Sequence, residues 1–368
     1  MNKKNRRGVF KAFTACTLSA FMLLSSGCGS KSGNPNADED GTIYVIGKQQ
    51  LSFWDDVKKG AEDAGKELGY NVVYSVASGD NDYSTQGDDI QKAIKEKAKA
   101  IVIAPNGKTE LNDALKRAED SGIKIVYINS RAEYNDALTL VRCSDTESGS
   151  LAARSAVKLL EKDDPELKGL KNVAIIGHTA ATAEDRISGF INTFTSLAED
   201  GIVNMNAKEN NAEKTKSAQV EAYKKSIILG AQCAKRDKAK EEALKILEAH
   251  QGEISVMYGT NTNTTLGICD AVSSMDLQDD ILVIGFNSDA EELGYIKTHV
   301  LDGTVIQNPY MIGYVGVRFA KKAIAGENLP TRLETGALFV DADNISNDYV
   351  QLMLYPDKAG EIANGGEG

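Results

Sequence analysis

From residue 42 onward the chain repeats one unit, a short run rich in β-branched residues followed by a stretch with apolar residues at helical spacing. A short run that is apolar on both faces suits a strand buried on both sides. An intervening helix returns the chain to run in the same direction, so the repeat predicts parallel sheet covered by crossover helices. Residues 43–46 read as the first strand, and the helix after it carries Val57, Ala61, Ala64 and Leu68 at i, i+4, i+7 and i+11. Strands at 71–76, 100–104 and 123–128 follow, with helical runs around 90–94 and 111–118 between them, which makes one lobe. A second series begins after a strand at 138–141. It runs through helix 145–160, strand 172–176, helix 183–197, strand 226–229, helix 237–249 and strands 254–258 and 281–286. Residues 200–225, rich in Asn, Lys, Glu and Ala, read as a solvated insertion with some helix. The helix at 309–325 and the strand at 337–340 fit either lobe on spacing alone. With 368 residues the chain exceeds one ordinary core of roughly 100–200 residues, which also predicts two domains.

The N-terminus has a different grammar. Lys3, Lys4, Arg6, Arg7 and Lys11 precede an apolar run from about 12 to 24, and the first 27 residues hold no acid. This is the n-region and h-region of an export signal. At ~13 residues the run is too short to span a bilayer, and no later segment reaches the ~18–20 apolar residues a span needs. The stretch Leu24-Ser25-Ser26-Gly27-Cys28-Gly29-Ser30 resembles a lipoprotein signal, in which Cys28 would be acylated and become the new N-terminus. Ser25 departs from that pattern by standing where Leu is usual, and a buried cysteine near an ordinary cleavage site is the alternative. Residues 1–27 are thus expected to be a signal peptide and 28–41 a flexible tether, since Gly, Ser, Asn, Pro and acids bury too little to order themselves. A second flexible segment is expected at 357–368. Removing the signal leaves 37 basic against 53 acidic residues, a net charge of about −16, so a nucleic-acid partner is not expected. Cys143, Cys233 and Cys269 remain at wide spacings, and three buried free thiols are expected rather than a disulfide.

Six short motifs then fall in one order. They are Phe53-Trp54 before the first helix; Ile125-Val126-Tyr127-Ile128-Asn129; Ser144-Asp145 opening a helix; Ala183-Glu184-Asp185-Arg186-x-x-Gly189-Phe190; Tyr258-Gly259-Thr260-Asn261; and Ile284-Gly285-Phe286-Asn287, followed by Val305-Ile306-Gln307-Asn308-Pro309. Together they resemble the ribose/galactose-type solute-binding family, over roughly residues 42–345. That family has the type I periplasmic-binding-protein fold shared with LacI-type repressors. The resemblance implies two doubly wound parallel-sheet α/β lobes joined by three crossover strands, near Cys143, Asn308 and Gly336. The N-terminal lobe would be 42–142 plus 308–336, and the C-terminal lobe 143–307 plus 337–356. It also implies an extracytoplasmic, monomeric lipoprotein held at the cell membrane through Cys28. Such a protein captures a sugar or sugar-like ligand and delivers it to an ABC transporter permease, with no cofactor and no metal.

Each site candidate stands just past the carboxyl end of an expected strand or at a helix start, where open parallel sheets bind ligands. Phe53 and Trp54 offer aromatic faces that could stack on a sugar ring, or they simply cap the lobe core. Asn129, Asn261, Asn287 and Gln307 follow separate strands, and an amide both donates to and accepts from a hydroxyl. An Asn after a strand can equally supply a turn. Arg186 carries a planar fork of five donors, which the resemblance places on ring oxygens and hydroxyls, while a solvated arginine is the alternative. Asp145 has ligand contact, helix capping and hinge function all open to it. The family commonly presents carboxylates where this chain has Thr262 and Asn287, a polar residue near Leu51, and an aromatic where this chain has something in 235–238, Arg236 among them. The ligand class survives these departures and its identity does not.

An enzyme is the first rival. The sequence has no Gly-x-Ser-x-Gly, no His-Glu-x-x-His, and its three histidines, His178, His250 and His299, are far apart. Asn106-Gly107-Lys108-Thr109 mimics the end of a phosphate loop, but Val102 stands where its first Gly belongs, so it reads as a strand-to-helix turn. A repressor would begin with a helix-turn-helix and a basic face. A sugar or autoinducer receptor docking on a sensor kinase or chemoreceptor would have the same lobes, and Lys48 suits its pocket as well as a surface.

Overall fold

The computed structural model describes residues 41–356, apart from 80, 135–136, 163, 166, 168–169, 181 and 207–225 and the side chains of 198–206. The signal peptide, Cys28, the tether up to residue 40, the 357–368 tail and residues 207–225 of the insertion lie outside the described residues.

The first series comprises β1 (Thr42–Gly47), α1 (Ser52–Leu68), β2 (Asn71–Val76), α2 (Tyr83–Lys95), β3 (Ala100–Ile103), α3 (Asn112–Asp120), β4 (Lys124–Ile128) and β5 (Leu140–Arg142). Along β1, Ile43 and Val45 point into one apolar cluster, and Tyr44 and Ile46 into another on the opposite face. Both faces are therefore covered, as the apolar runs require. The second series comprises α4 (Asp145–Glu161), β6 (Asn172–Ile176), α5 (Thr182–Asn206), β7 (Ile227–Leu229), α6 (Arg236–Ala249), β8 (Ile254–Gly259), α7 (Thr262–Ser274), β9 (Leu282–Phe286), α8 (Ala290–Lys297) and β10 (Gly303–Gln307). Alternation repeats here, with Val256 and Tyr258 entering one cluster and Met257 the other. Helix α5 runs past the expected end at 197 into the insertion.

The remaining segments are α9 (Pro309–Ile324), β11 (Arg332–Glu334), β12 (Ala337–Asp341) and α10 (Asp348–Leu354). The first sheet has the order β11-β5-β4-β3-β1-β2 and the second β12-β10-β9-β8-β6-β7. Among the described residues, every pairing is parallel except β10 with β12. Two lobes result, and the chain crosses between them three times. The crossings run from β5 into α4, from β10 into α9, which packs on α1, β3 and β4, and from β11 into β12. The two segments that spacing left unassigned thus go to different lobes. Cys143, Cys233 and Cys269 are buried and free, as expected.

Candidate functional site

The second lobe builds its strand-end edge around an ion pair. Helices α4 and α5 approach so closely that a Cβ on Gly149 would lie 2.0 Å from the Arg186 carbonyl oxygen, and one on Gly189 would lie 2.0 Å from that of Thr146. Only hydrogen at both positions permits the contact, and the approach sets Arg186 beside Asp145 one turn before Gly149. Arg186 Nε donates to Asp145 Oδ1 at 2.9 Å, its Nη2 lies 2.8 Å from the same oxygen, and its Nη1 donates to the Thr260 carbonyl at 2.7 Å. The guanidinium carbon also lies over the Phe286 ring, 3.7 Å from its centroid, a cation–π contact. Arg142, on the crossover strand β5, pairs with the other oxygen of Asp145. Asp145 and Arg186 are both buried.

His178, past the end of β6, is held at both nitrogens. Nδ1 shares a hydrogen bond with the Thr260 hydroxyl at 2.8 Å and Nε2 one with Thr182 at 2.9 Å. Burial, and then the Arg186 charge, push its pKa down to about 3, so the ring is neutral at physiological pH. Asn261 caps α7 and its Oδ1 accepts the Thr264 N–H at 3.0 Å. Asn287 follows β9 with φ 88° and its Nδ2 donates to Thr262 Oγ1 at 3.2 Å. Gln307 ends β10 opposite Ala337, and its side-chain amide makes no hydrogen bond to a described residue.

On the first lobe, Asn129 follows β4 with φ 59°, and its backbone N–H donates to Val141. Buried Gln86 joins the ends of β1 and β3, since its Nε2 donates to the Gly47 and Ala104 carbonyls at 2.9 and 2.8 Å. Asn106 is the strand-to-helix turn expected of it, with Nδ2 donating to the Lys48 and Gly79 carbonyls at 3.1 and 2.7 Å. The aromatic pair behaves unequally. Trp54 is only 3% exposed, lies in the core cluster with Val57 and Ala61, and meets Phe53 edge-on at 5.2 Å. Trp54 thus follows the core-capping alternative, its apolar ring drawn into the lobe core, while Phe53 is half-buried against the same cluster.

Asn129 comes to the carboxyl edge of the first sheet, with Phe53 on α1 beyond the end of β1. Asn261, Asn287, Gln307 and the Asp145–Arg186 pair come to the corresponding side of the second. Sequence reasoning gave no site role to His178 or Arg142, and named Thr260, Thr262 and Phe286 without their part in fixing these groups. One signal was available, for Asn261-x-x-Thr264 and Asp289-x-x-Glu292 both have capping-box spacing.

A family model described as a periplasmic binding protein domain matches residues 43–328. Among curated proteins, the ribose import binding protein of Bacillus subtilis is 26% identical over 331 residues, covering 87% of this chain and 96% of the relative. The D-allose-binding periplasmic protein of Escherichia coli is 24% identical over 282 residues, covering 75% and 82%. Among solved structures, a carbohydrate transporter solute-binding protein from Agrobacterium radiobacter, in complex with D-arabinose, matches with a TM-score of 0.66 and 25% identity. It covers 85% of this chain and 98% of its own.

Proposed function

The chain belongs to the periplasmic binding protein domain family, and from that premise we propose that it is an extracytoplasmic, lipid-anchored receptor. It captures a neutral, hydroxyl-rich molecule of the sugar class between its two lobes and passes it to an ABC importer. It is a binding protein rather than an enzyme, as are the relatives it matches. The lobes are 42–142 with 308–336 and 143–307 with 337–356, and the ligand lies against Phe53, Asn129, Asn261, Asn287 and Gln307. Asp145 and Arg186 form the floor on the second lobe.

The observation that carries this reading is the chemistry of the second lobe's edge. Its amides suit hydroxyls, its histidine is neutral, and the charge of Arg186 is already matched by Asp145. Arg142 joins that carboxylate from the crossover strand, so the one surplus positive charge of the trio sits at the crossing between the lobes. A buried ligand charge would lack a dedicated partner at the amides, and burying it would cost affinity. The importer and the sugar class are supported by what the relatives carry in their names, ribose, D-allose and D-arabinose. The anchor is supported by the Gly27-Cys28-Gly29-Ser30 context and the polar residues after it.

A thermal-shift screen of pentoses, hexoses, polyols, nucleosides and amino acids tests the ligand class, because a molecule that binds only the folded state raises the melting temperature. Stabilisation by a neutral sugar or polyol is expected, and stabilisation by a charged amino acid alone would overturn the reading. Detergent-phase partitioning of the wild type and Cys28→Ser tests the anchor. Equal release of both would remove it.

A further inference from the structure

The second lobe hides a carboxyl that the binding chemistry above does not use. Glu292, in the first turn of α8, is fully buried. Its Oε2 accepts the Asp289 backbone N–H at 2.9 Å and the Thr262 hydroxyl at 3.3 Å. Its Oε1 is buried with no hydrogen-bond partner among the described residues. The Thr265 side chain lies near enough to ease a charge there in part, but an ionised carboxyl would still leave charge on a buried oxygen without a well-formed hydrogen bond, whereas the neutral form leaves at most one unmade hydroxyl bond, a smaller cost.

The groups around it supply little counter-charge. Asp289 caps the same helix, Cys269 and Asp270 face the region from α7, and Asp302 lies just before β10. Arg236 on α6 is bound to Asp270 and Glu291 through both edges of its guanidinium. Burial raises the Glu292 pKa from its ordinary 4.5 to about 8, against the opposing pull of the hydrogen bond from the Asp289 backbone N–H.

Hydrogen bonds run from this carboxyl to the strand ends. Asn287 Nδ2 donates to Thr262 Oγ1, and Thr262 donates in turn to Glu292 Oε2. With one N–H turned inward, the Asn287 amide keeps its oxygen for a ligand. Asn261 is polarised the other way, because its Oδ1 accepts both the N–H and the O–H of Thr264 at 3.0 Å and its amide nitrogen is left over.

We propose that Glu292 is a positioning residue, a neutral carboxyl that holds Thr262 and through it presents the Asn287 oxygen as an acceptor beside the Asn261 donor. This rests on the reading that these strand ends face the ligand. It narrows the ligand to one with neighbouring hydroxyls, one donating to Asn287 and one accepting from Asn261.

Side-chain amide spectra of the ligand-free full chain, taken from pH 6 to 10, test the relay directly. In the wild type the Asn287 amide should shift with a single titration near pH 8. Glu292→Gln keeps an oxygen for Thr262 and for the cap, so it should hold the neutral-pH position at every pH. Thr262→Val should move the Asn287 amide while α8 keeps its cap. An Asn287 amide indifferent to pH and to both substitutions overturns the proposal, since a carboxyl that only caps a helix would behave that way.

Calorimetric titration with D-ribose, D-allose and D-arabinose adds the binding arm. Wild-type affinity should change by about tenfold across pH 8, the size of roughly one good hydrogen bond, as ionisation alters the hold on Thr262, while Glu292→Gln stays flat. Equal pH profiles for the two proteins overturn the proposal. Failure of all three sugars to bind at any pH counts against the sugar reading, and the amide titration then decides the relay by itself.

Discussion

At the scale of single residues, the structure separates side chains that hold the lobe from side chains that face outward. Trp54 lies three residues before Val57 on the same helical stripe as Ala61 and Ala64, and it is buried with them. Trp54→Ala should therefore cost about 3–5 kcal/mol of stability, read from the denaturation midpoint, with a smaller change in ligand affinity. Phe53→Ala should show the reverse pattern. If Trp54→Ala unfolds at the wild-type midpoint, the core placement is wrong. The stripe from Val57 to Leu68 was legible in the sequence, and Trp54 extends it by one turn, but an aromatic pair beside a strand end also reads as a stacking platform, and spacing alone does not choose between them. Arg186 carries a second lesson. Its position was legible, but its partners come from Asp145, Thr260 and Phe286, which only folding brings together. Arg186→Ala should cost about 3 kcal/mol, the low end for a broken buried pair, because Arg142 still pairs with Asp145. A variant as stable as the wild type would show that the pair contributes no net stability.

Among elements, the long periodic helices and β-branched strands were legible because burial on both sheet faces leaves few alternatives to an apolar run. Strand β11 was not, being three residues, Arg332–Glu334, with charge at both ends and, among the described residues, pairing only along β5. Its conformation is imposed by the edge it joins rather than by its own side chains. The contact of α4 with α5 is the element-level feature on which the site most depends. Gly149→Ala would put a methyl against the Arg186 carbonyl, and relief requires the helices to separate. We expect a loss of about 1–3 kcal/mol, the ordinary cost of overpacking, together with weaker ligand binding as Arg186 leaves Asp145. Unchanged stability and affinity would show that α5 can shift without disturbing the pair.

Taken whole, the molecule is two lobes tied by three crossings. Two of them are joined laterally, since the Thr335 N–H donates to the Arg142 carbonyl at 2.9 Å and the Cys143 thiol lies 3.2 Å from the Gly336 carbonyl oxygen. A ligand that touches both lobes favours the closed arrangement by its extra contacts there, a hinge closure of the kind general to periplasmic binding proteins. Small-angle scattering should show the radius of gyration falling on saturation with a stabilising sugar, and an unchanged radius with ligand bound would count against capture between the lobes. The same crossings also set the order in which the polypeptide can become compact. The first lobe draws its edge strand from residues 332–334, and Ile312, Val317, Phe319 and Ala320 of α9 complete its core. A nascent chain thus holds an unfinished N-terminal half until nearly the whole length has been synthesised. Premature collapse of that half during synthesis is hindered by the wiring of the fold itself.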